Sequence, residues 1–158
     1  MGRKFTKSEQ QLKPDPKYGD KVLSRFINCI MHGGKKSVAQ RIVYQAFDEI
    51  EKRNNGDVPA IDVFHQALDN VQPNVEVRSK RVGGANYQVP MQVNKKRQQS
   101  LTFRWIINAA RAEKGKPMHL CLAKELFDAA RGEGKSVNQR DQTHRMAEAN
   151  KAFAHFAW

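Results

Sequence analysis

The sequence predicts a mainly α-helical single domain of about six helices, from which one β-hairpin arm protrudes. Apolar residues recur at helical spacing in six segments, and glycine, proline or a capping residue bounds most of them. The segment 75–93 instead alternates apolar and polar side chains around a pair of glycines, which is typical of a hairpin. With 158 residues, the chain is long enough to bury roughly two-thirds of its unfolded surface in one core.

Three helices are predicted before the hairpin, over 20–32, 35–54 and 57–72. Asp20 is a suitable N-cap for the first helix, and the paired glycines at 33–34 end it. Val38 is placed on the buried face of the second helix. The third helix has Asp57 near its N-cap and Pro59 in its first turn, where proline costs no hydrogen bond.

Three more helices are predicted after the hairpin, over 94–113, 117–131 and 136–153. Asn94 and Ser136 are candidate N-caps, because their side-chain oxygens can accept from the free amides of a first turn. Trp105 lies at core spacing and is expected to be buried.

The pairing of the two hairpin strands depends on the length of their loop. A two-residue loop at Gly83 and Gly84 would set Val77 opposite Pro90 and join an apolar face to a polar one. A three-residue loop with a bulge pairs Val77 with Val89 and keeps one face apolar, so we expect that register. Eight residues per strand span roughly 26 Å, and the tip is therefore expected to project beyond the body.

Positive charge is segregated along the chain, whose net charge is +12. Residues 77–112 contain eight basic and no acidic residues, whereas residues 42–76 contain seven acidic and two basic ones. A protein that must neutralise phosphates on one side needs such segregation, and solubility alone does not. Nucleic acid is the predicted partner.

Residues 1–17 are polar and basic, and we interpret them as an N-terminal extension that becomes ordered against a partner, followed by a helical domain over 18–158. No apolar run approaches the roughly 20 residues of a membrane span, so no membrane partner is expected. Gly2 fits only a loose myristoylation pattern. Cys29 and Cys121 lie within apolar helical patterns, which predicts buried thiols in a reducing cytosol.

No motif in the sequence indicates an enzyme, a cofactor or a metal. The stretch 34–37 resembles the end of a phosphate-binding loop, but Cys29 stands where that loop needs its first glycine. Cys29 with His32, and His119 with Cys121, do not have the spacing of zinc-ligand pairs. A DNA-bending architectural protein with a basic β-arm remains an alternative to an RNA-binding protein.

Several segments of the chain closely resemble the bacterial form of the small-subunit ribosomal protein seven family. The two longest are 80–90 and 144–155, and 18–20, 26–28, 34–37, 97–101 and 104–105 extend the match in order along the chain. Around 137–142 and 155–158 this chain has neutral residues where members of the family usually carry lysine or arginine.

The resemblance implies a structural protein of the small subunit that binds the 3′ major domain of its ribosomal RNA and nucleates assembly of the head. It implies a cytoplasmic location in the ribosome, near the exit (E) site, transfer RNA and messenger. Head and platform ribosomal proteins would be neighbours, and no obligate homo-oligomer is expected. In some bacteria, members of the family also repress translation of their own operon.

The basic stretches and the resemblance together predict the residues of the interface. Those expected to face ribosomal RNA are Arg3, Lys4, Lys35, Lys36, Arg78, Lys80, Arg81, Lys95, Lys96, Arg97 and Arg104. Those expected near transfer RNA and messenger are Gly83, Gly84, Asn86, Tyr87 and Arg145. Tyr87 has two open interpretations: it stacks on a base, or it packs on the apolar face of the hairpin.

Overall fold

The computed structural model describes residues 8–157. Its helices are α1 (Ser8–Gln11), α2 (Lys21–Ile30), α3 (Lys36–Arg53), α4 (Ala60–Val71), α5 (Lys95–Arg111), α6 (Met118–Ala130) and α7 (Lys135–Ala149), followed by a 3-10 helix (Lys151–Phe156). Strands β1 (Val75–Val82) and β2 (Ala85–Gln92) form one antiparallel hairpin between α4 and α5. The predicted fold class is confirmed.

The core lies among helices α2 to α6, and four phenylalanine rings from four different helices meet in it. Phe26 of α2 lies 5.2 Å from both Phe64 of α4 and Phe103 of α5, between ring centroids. Phe47 of α3 lies 5.8 Å from Phe64. All four side chains are almost fully buried, and aromatic pairs at this separation stabilise a core beyond the area they bury. Trp105 packs against this core and is partly buried.

Two predicted N-caps are confirmed and one is wrong. Asp20 Oδ1 accepts a hydrogen bond from the Leu23 amide at 3.0 Å, and Asn94 Oδ1 accepts one from the Arg97 amide at 2.9 Å. Asp57 lies near the start of α4 as expected, and Pro59 occupies the N-cap position of that helix. Ser136 lies inside the first turn of α7, which starts after Gly134.

Two residues predicted to be buried are exposed. Val38 is 45% exposed, and Cys29 is also exposed, whereas Cys121 is buried as expected. Both exceptions have the same cause. Each lies roughly 125° around its helix from the centre of the buried face, so its side chain points away from the core.

The predicted register of the hairpin is wrong. Val82 pairs with Ala85 and Val77 pairs with Pro90, so the loop has two residues and contains no bulge. Gly83 and Gly84 have φ values of 57° and 86°, and positive φ at both central residues gives the tight turn that matches the twist of the strands. Turn geometry therefore decides the register. In this register one face of the hairpin carries both charged and apolar side chains, and Glu76 on that face forms an ion pair with Arg97 of α5.

The C-terminal residues pack on the outer half of the hairpin. The ring of Tyr87 lies 5.1 Å from that of Phe153 and 5.0 Å from that of Phe156. Lys80 Nζ donates to the carbonyl of Phe156 at 2.7 Å. Nearer the base, the Asn74 amide donates to Nε2 of His144 on α7 at 3.2 Å. The residues beyond these contacts, 81–86, form the exposed tip.

Part of the predicted N-terminal extension contacts the helical body. Asp15 is 2% exposed and accepts hydrogen bonds from the amides of Lys17 and Tyr18 and from the hydroxyl of Tyr44. Glu9 in α1 lies beside Arg25 of α2. The amino-terminal segment is thus tied to α2 and α3 from residue 9 onward.

Candidate nucleic-acid interface

The hairpin and helix α5 are joined by a buried carboxylate. Glu76 of β1 is 7% exposed. Its Oε1 accepts a hydrogen bond from Nε of Arg78 at 2.9 Å and lies 2.7 Å from Nη2 of the same residue. Its Oε2 accepts a hydrogen bond from Nε of Arg97 at 3.0 Å and lies 3.0 Å from Nη2 of that residue. A charge-assisted hydrogen bond and a close ion-pair contact to the same guanidinium restrict both its position and its orientation. One carboxylate therefore holds two of the predicted RNA-binding arginines side by side.

Helix α5 extends the positive charge away from this junction. Arg97, Arg104 and Arg111 are seven residues apart, which is close to two helical turns, so they share one face. Arg104 and Arg111 are exposed. From the first to the last of these arginines, the helix advances about 21 Å at about 1.5 Å per residue.

The far end of this face leads to the loop before α3. Arg111 Nη2 donates to the carbonyl of Ile30, the last residue of α2, at 3.3 Å. The loop that follows α2 leads to Lys35 and Lys36, both exposed. We call the set formed by the hairpin arginine, the α5 arginines and these lysines the basic strip. Its members are Arg78, Arg97, Arg104, Arg111, Lys35 and Lys36.

The other predicted cations near α5 differ in their surroundings. Lys95 and Arg81 are exposed and form no ion pair within the described residues 8–157. Lys96 pairs with Glu9 at 3.1 Å, and its side chain is 74% exposed. Lys80 donates to the backbone carbonyl of Phe156. The ammonium of Lys80 is thus used within the fold.

The residues predicted near transfer RNA and messenger are only partly brought together. Gly83, Gly84 and Asn86 lie in the exposed tip. Tyr87 packs on the C-terminal aromatic rings, so neither of the two interpretations of this residue describes its observed contact. Arg145 is exposed on α7, and no described contact joins it to the tip. Arg3 and Lys4 lie outside the described residues.

Sequence reasoning missed the residue that organises the interface. Glu76 is the last acidic residue before the acid-free stretch 77–112. In the sequence it is therefore counted with the acidic segment 42–76 and not with the basic residues that it contacts. The two-residue spacing of Glu76 and Arg78 along a strand places both side chains on one face. That spacing is the available indication of an ion pair, but the contribution of Arg97 depends on the packing of α5.

Among the described residues, no group of histidine, cysteine or acidic side chains is arranged to hold a metal ion. The helices of that same part of the chain include none long and apolar enough to cross a membrane. The fold and the basic strip define a class of protein: a helical body that carries a hairpin and concentrates its positive charge where the two meet.

Comparison with known proteins identifies the family. The family model described as ribosomal protein S7p/S5e matches residues 2–151. The protein named small ribosomal subunit protein uS7 of Rhodopirellula baltica is 58% identical over 158 residues, covering 100% of both chains. Proteins of that name from Methylobacterium nodulans and Acidiphilium cryptum are 53% and 51% identical, again over the full length of both chains.

The chain belongs to the ribosomal protein S7p/S5e family. It is a ribosomal protein of the small subunit, which confirms the family that the sequence motifs indicate. Ribosomal structural proteins of this kind are not enzymes, and membership also confirms the predicted cytoplasmic location in the ribosome. The alternative of a DNA-bending protein has no support from these comparisons.

Proposed function

We propose that this protein binds the 3′ major domain of small-subunit ribosomal RNA through the basic strip and thereby nucleates assembly of the subunit head. One observation carries the proposal. Arg78 and Arg97 are held by one carboxylate, Arg104 and Arg111 lie on the same face of α5 as Arg97, and Arg111 contacts the end of α2, from which the loop leads to Lys35 and Lys36. A row of cations about 21 Å long on a rigid helix suits the repeated phosphates of a folded RNA backbone.

The acidic part of the chain supports the same orientation. Helix α3 begins at Lys36 beside the strip and carries Asp48, Glu49 and Glu51 near its other end. Lys36 and Glu51 are separated by about 22 Å along the helix axis. The proposed orientation therefore directs the lysine end of α3 toward RNA and keeps the carboxylates of that helix away from the phosphates, which avoids repulsion.

The exposed tip supports a second part of the proposal. We propose that Gly83, Gly84 and Asn86 approach the exit-site transfer RNA and the messenger, with Arg145 of α7 on the same side. The two glycines carry no side chains, so the backbone at the tip can approach another chain closely. Neighbouring head and platform proteins are the proposed protein contacts.

The test compares two nucleic acids at equal salt concentration. The full-length protein is titrated with a transcript of the 3′ major domain and with duplex DNA of similar length, and the dissociation constants are measured at several salt concentrations. We expect the transcript to bind at least about a hundredfold more tightly, since specific binding usually exceeds non-specific binding by more than this. Equal affinity for both would overturn the proposal and favour an architectural DNA-binding role.

A charge-neutralising variant tests the role of the strip within that assay. In Arg104→Gln with Lys35→Gln, two exposed cations of the strip are lost, and we expect the slope of log affinity against log salt to fall by about 1.5 units. The affinity itself should fall about tenfold. Lys52→Gln is the matched control, because Lys52 is 76% exposed but lies at the acidic end of α3; it should leave the slope unchanged.

A further inference from the structure

Glu76 is an acidic residue at the centre of a surface that otherwise concentrates positive charge. Its side chain is only 10% exposed. A carboxylate buried to this extent is stable only when its charge is compensated, and the two guanidinium groups provide that compensation. The three groups together keep a net positive charge, so the site remains cationic.

The geometry leaves donors free on both arginines. Each guanidinium donates its Nε–H to Glu76 and places Nη2 at ion-pair distance from the same oxygen, and a guanidinium has five N–H donors. The Nη1 group of each arginine and one N–H on each Nη2 are not used by the carboxylate. The side chains of Arg78 and Arg97 are 44% and 35% exposed, so these remaining donors are accessible to a ligand.

The three residues come from two separate elements. Glu76 and Arg78 belong to β1, whereas Arg97 belongs to the first turn of α5. The side chain of Glu76 therefore fixes the hairpin base relative to α5 as well as the planes of the two guanidinium groups. A ligand that needs both arginines in a fixed relative position finds them already arranged, which lowers the entropic cost of binding.

We propose that Glu76 is a positioning residue for RNA binding, which holds Arg78 and Arg97 as a paired donor for the phosphate backbone without touching RNA itself. This inference rests on the proposed function, because it assumes that the basic strip binds RNA. It makes an unusual prediction for an acidic residue. Removal of a negative charge beside RNA should strengthen binding by simple electrostatics, whereas removal of Glu76 should weaken it.

The first experiment measures RNA affinity for Glu76→Gln against the transcript of the 3′ major domain. We expect binding about three- to tenfold weaker than that of the unmodified protein, because two long side chains must then be ordered by RNA. The matched control is Glu9→Gln, since Glu9 is an exposed carboxylate that pairs with Lys96 on the same first turn of α5. The control should bind as tightly as the unmodified protein or more tightly.

A second comparison separates positioning from a general loss of structure. Glu76→Gln is combined with Arg78→Gln and Arg97→Gln, and its effect in that background is measured. A positioning residue contributes nothing further to binding once the groups it positions are gone, and its uncompensated negative charge then only opposes RNA, so the triple variant should bind as tightly as the double variant or more tightly. An additional loss of affinity in this background would show that Glu76 acts through the fold and would overturn the inference.

A further variant covers the case in which Glu76→Gln does not fold. Arg78→Lys with Arg97→Lys keeps both positive charges and compensates the buried carboxylate, but an ammonium cannot form the paired bonds of a guanidinium. We expect a loss of about threefold or more in affinity with little change in the salt slope. Binding equal to that of the unmodified protein would overturn the inference, whereas failure of the unmodified protein to bind the transcript would overturn the proposed function instead.

Discussion

Two glutamates in this molecule are equally buried but are satisfied by different partners. Glu76 and Glu125 are each 7% exposed. The first is bound by two arginine side chains, whereas Oε1 of the second accepts from the amide and the hydroxyl of Ser136 at 2.8 and 2.6 Å. The partners of Glu76 reach the surface, but those of Glu125 are enclosed. The comparison indicates that one buried carboxylate orients two arginines at the surface, whereas the other joins α6 to the start of α7 inside the fold.

The contacts of Glu125 explain how helix α7 begins. No side chain of α7 caps its own first turn, although the first amides of a helix need acceptors. Glu125 reaches from α6 and provides that acceptor, so a neighbouring helix supplies the cap. Its negative charge is also favourable near the positive end of the α7 dipole.

The largest expected effect concerns Glu125. Replacement by alanine leaves the amide and hydroxyl of Ser136 buried without acceptors, and we expect the free energy of unfolding to fall by about 3 kcal/mol. Denaturant titration measures this quantity. RNA affinity measured far below the unfolding transition should stay unchanged. A loss of RNA affinity of about tenfold in the folded variant, as large as that expected for Glu76→Gln, would break the distinction between the two glutamates.

The next effect concerns Gly134, which precedes α7 and has φ of 100°. A Cβ at this position would lie 3.0 Å from Oε1 of Glu125, so Gly134→Ala should disturb the same cap and lower the free energy of unfolding by about 2 kcal/mol. Gly132 is the matched control, with φ of 78° and no atom within 4 Å of the point that an alanine Cβ would occupy. Its alanine variant should lose about 1 kcal/mol from backbone strain alone, and equal losses would exclude the contact with Glu125 as a cause.

Asp20 is a third carboxylate of interest, and it forms hydrogen bonds with one backbone amide and with one side chain. Burial acts to raise the pKa of Asp20, but hydrogen bonds from the Leu23 amide and the His65 ring outweigh it, and the pKa is lowered from its ordinary value of 3.8. A lowered pKa stabilises the folded state above the ordinary value, and this contribution is lost as the pH falls through the folded pKa. Asp20→Ala should lower the free energy of unfolding by about 1 kcal/mol at neutral pH.

The pH dependence of that effect is the sharper measurement. The difference in unfolding free energy between the unmodified protein and Asp20→Ala should be constant above about pH 5 and should shrink below about pH 4, where the carboxyl becomes protonated. A difference that grows on acidification would contradict the assigned direction of the pKa shift. Denaturant titrations at a series of pH values provide both curves.

The fold was largely predictable because each helix carries its own local pattern. Asp20 and Asn94 precede apolar residues at helical spacing, and the structure confirms both as caps. Errors arose where a contact distant in sequence decided the outcome. Serine is a residue type that often caps helices, but at the start of α7 the acceptor is Glu125 of α6 and not Ser136. No local sequence pattern in α7 indicates that a neighbouring helix supplies this acceptor.

The register of the hairpin shows a different limit. The expectation that apolar residues share one face treats the hairpin as an ordinary half-buried sheet. Here the turn at Gly83 and Gly84 fixes the pairing. Val89 therefore lies opposite Arg78 instead of Val77, and Glu76 is buried on that same face, where it contacts arginine side chains. The clustering of basic residues between 77 and 112 is visible in the sequence, and their role in RNA binding stays a prediction. The carboxylate that arranges two of them was not predictable, because half of its partners come from α5.

The packing of Phe153 and Phe156 on Tyr87 has a mechanical consequence for the hairpin. Without this contact, each strand would extend about 26 Å as a lever from its base. The C-terminal rings brace the strands as far as Lys80 and Tyr87, so the unsupported lever is only about three residues per strand, or about 10 Å. The C-terminal contacts thus shorten the unsupported part of the hairpin and restrict bending of its outer half.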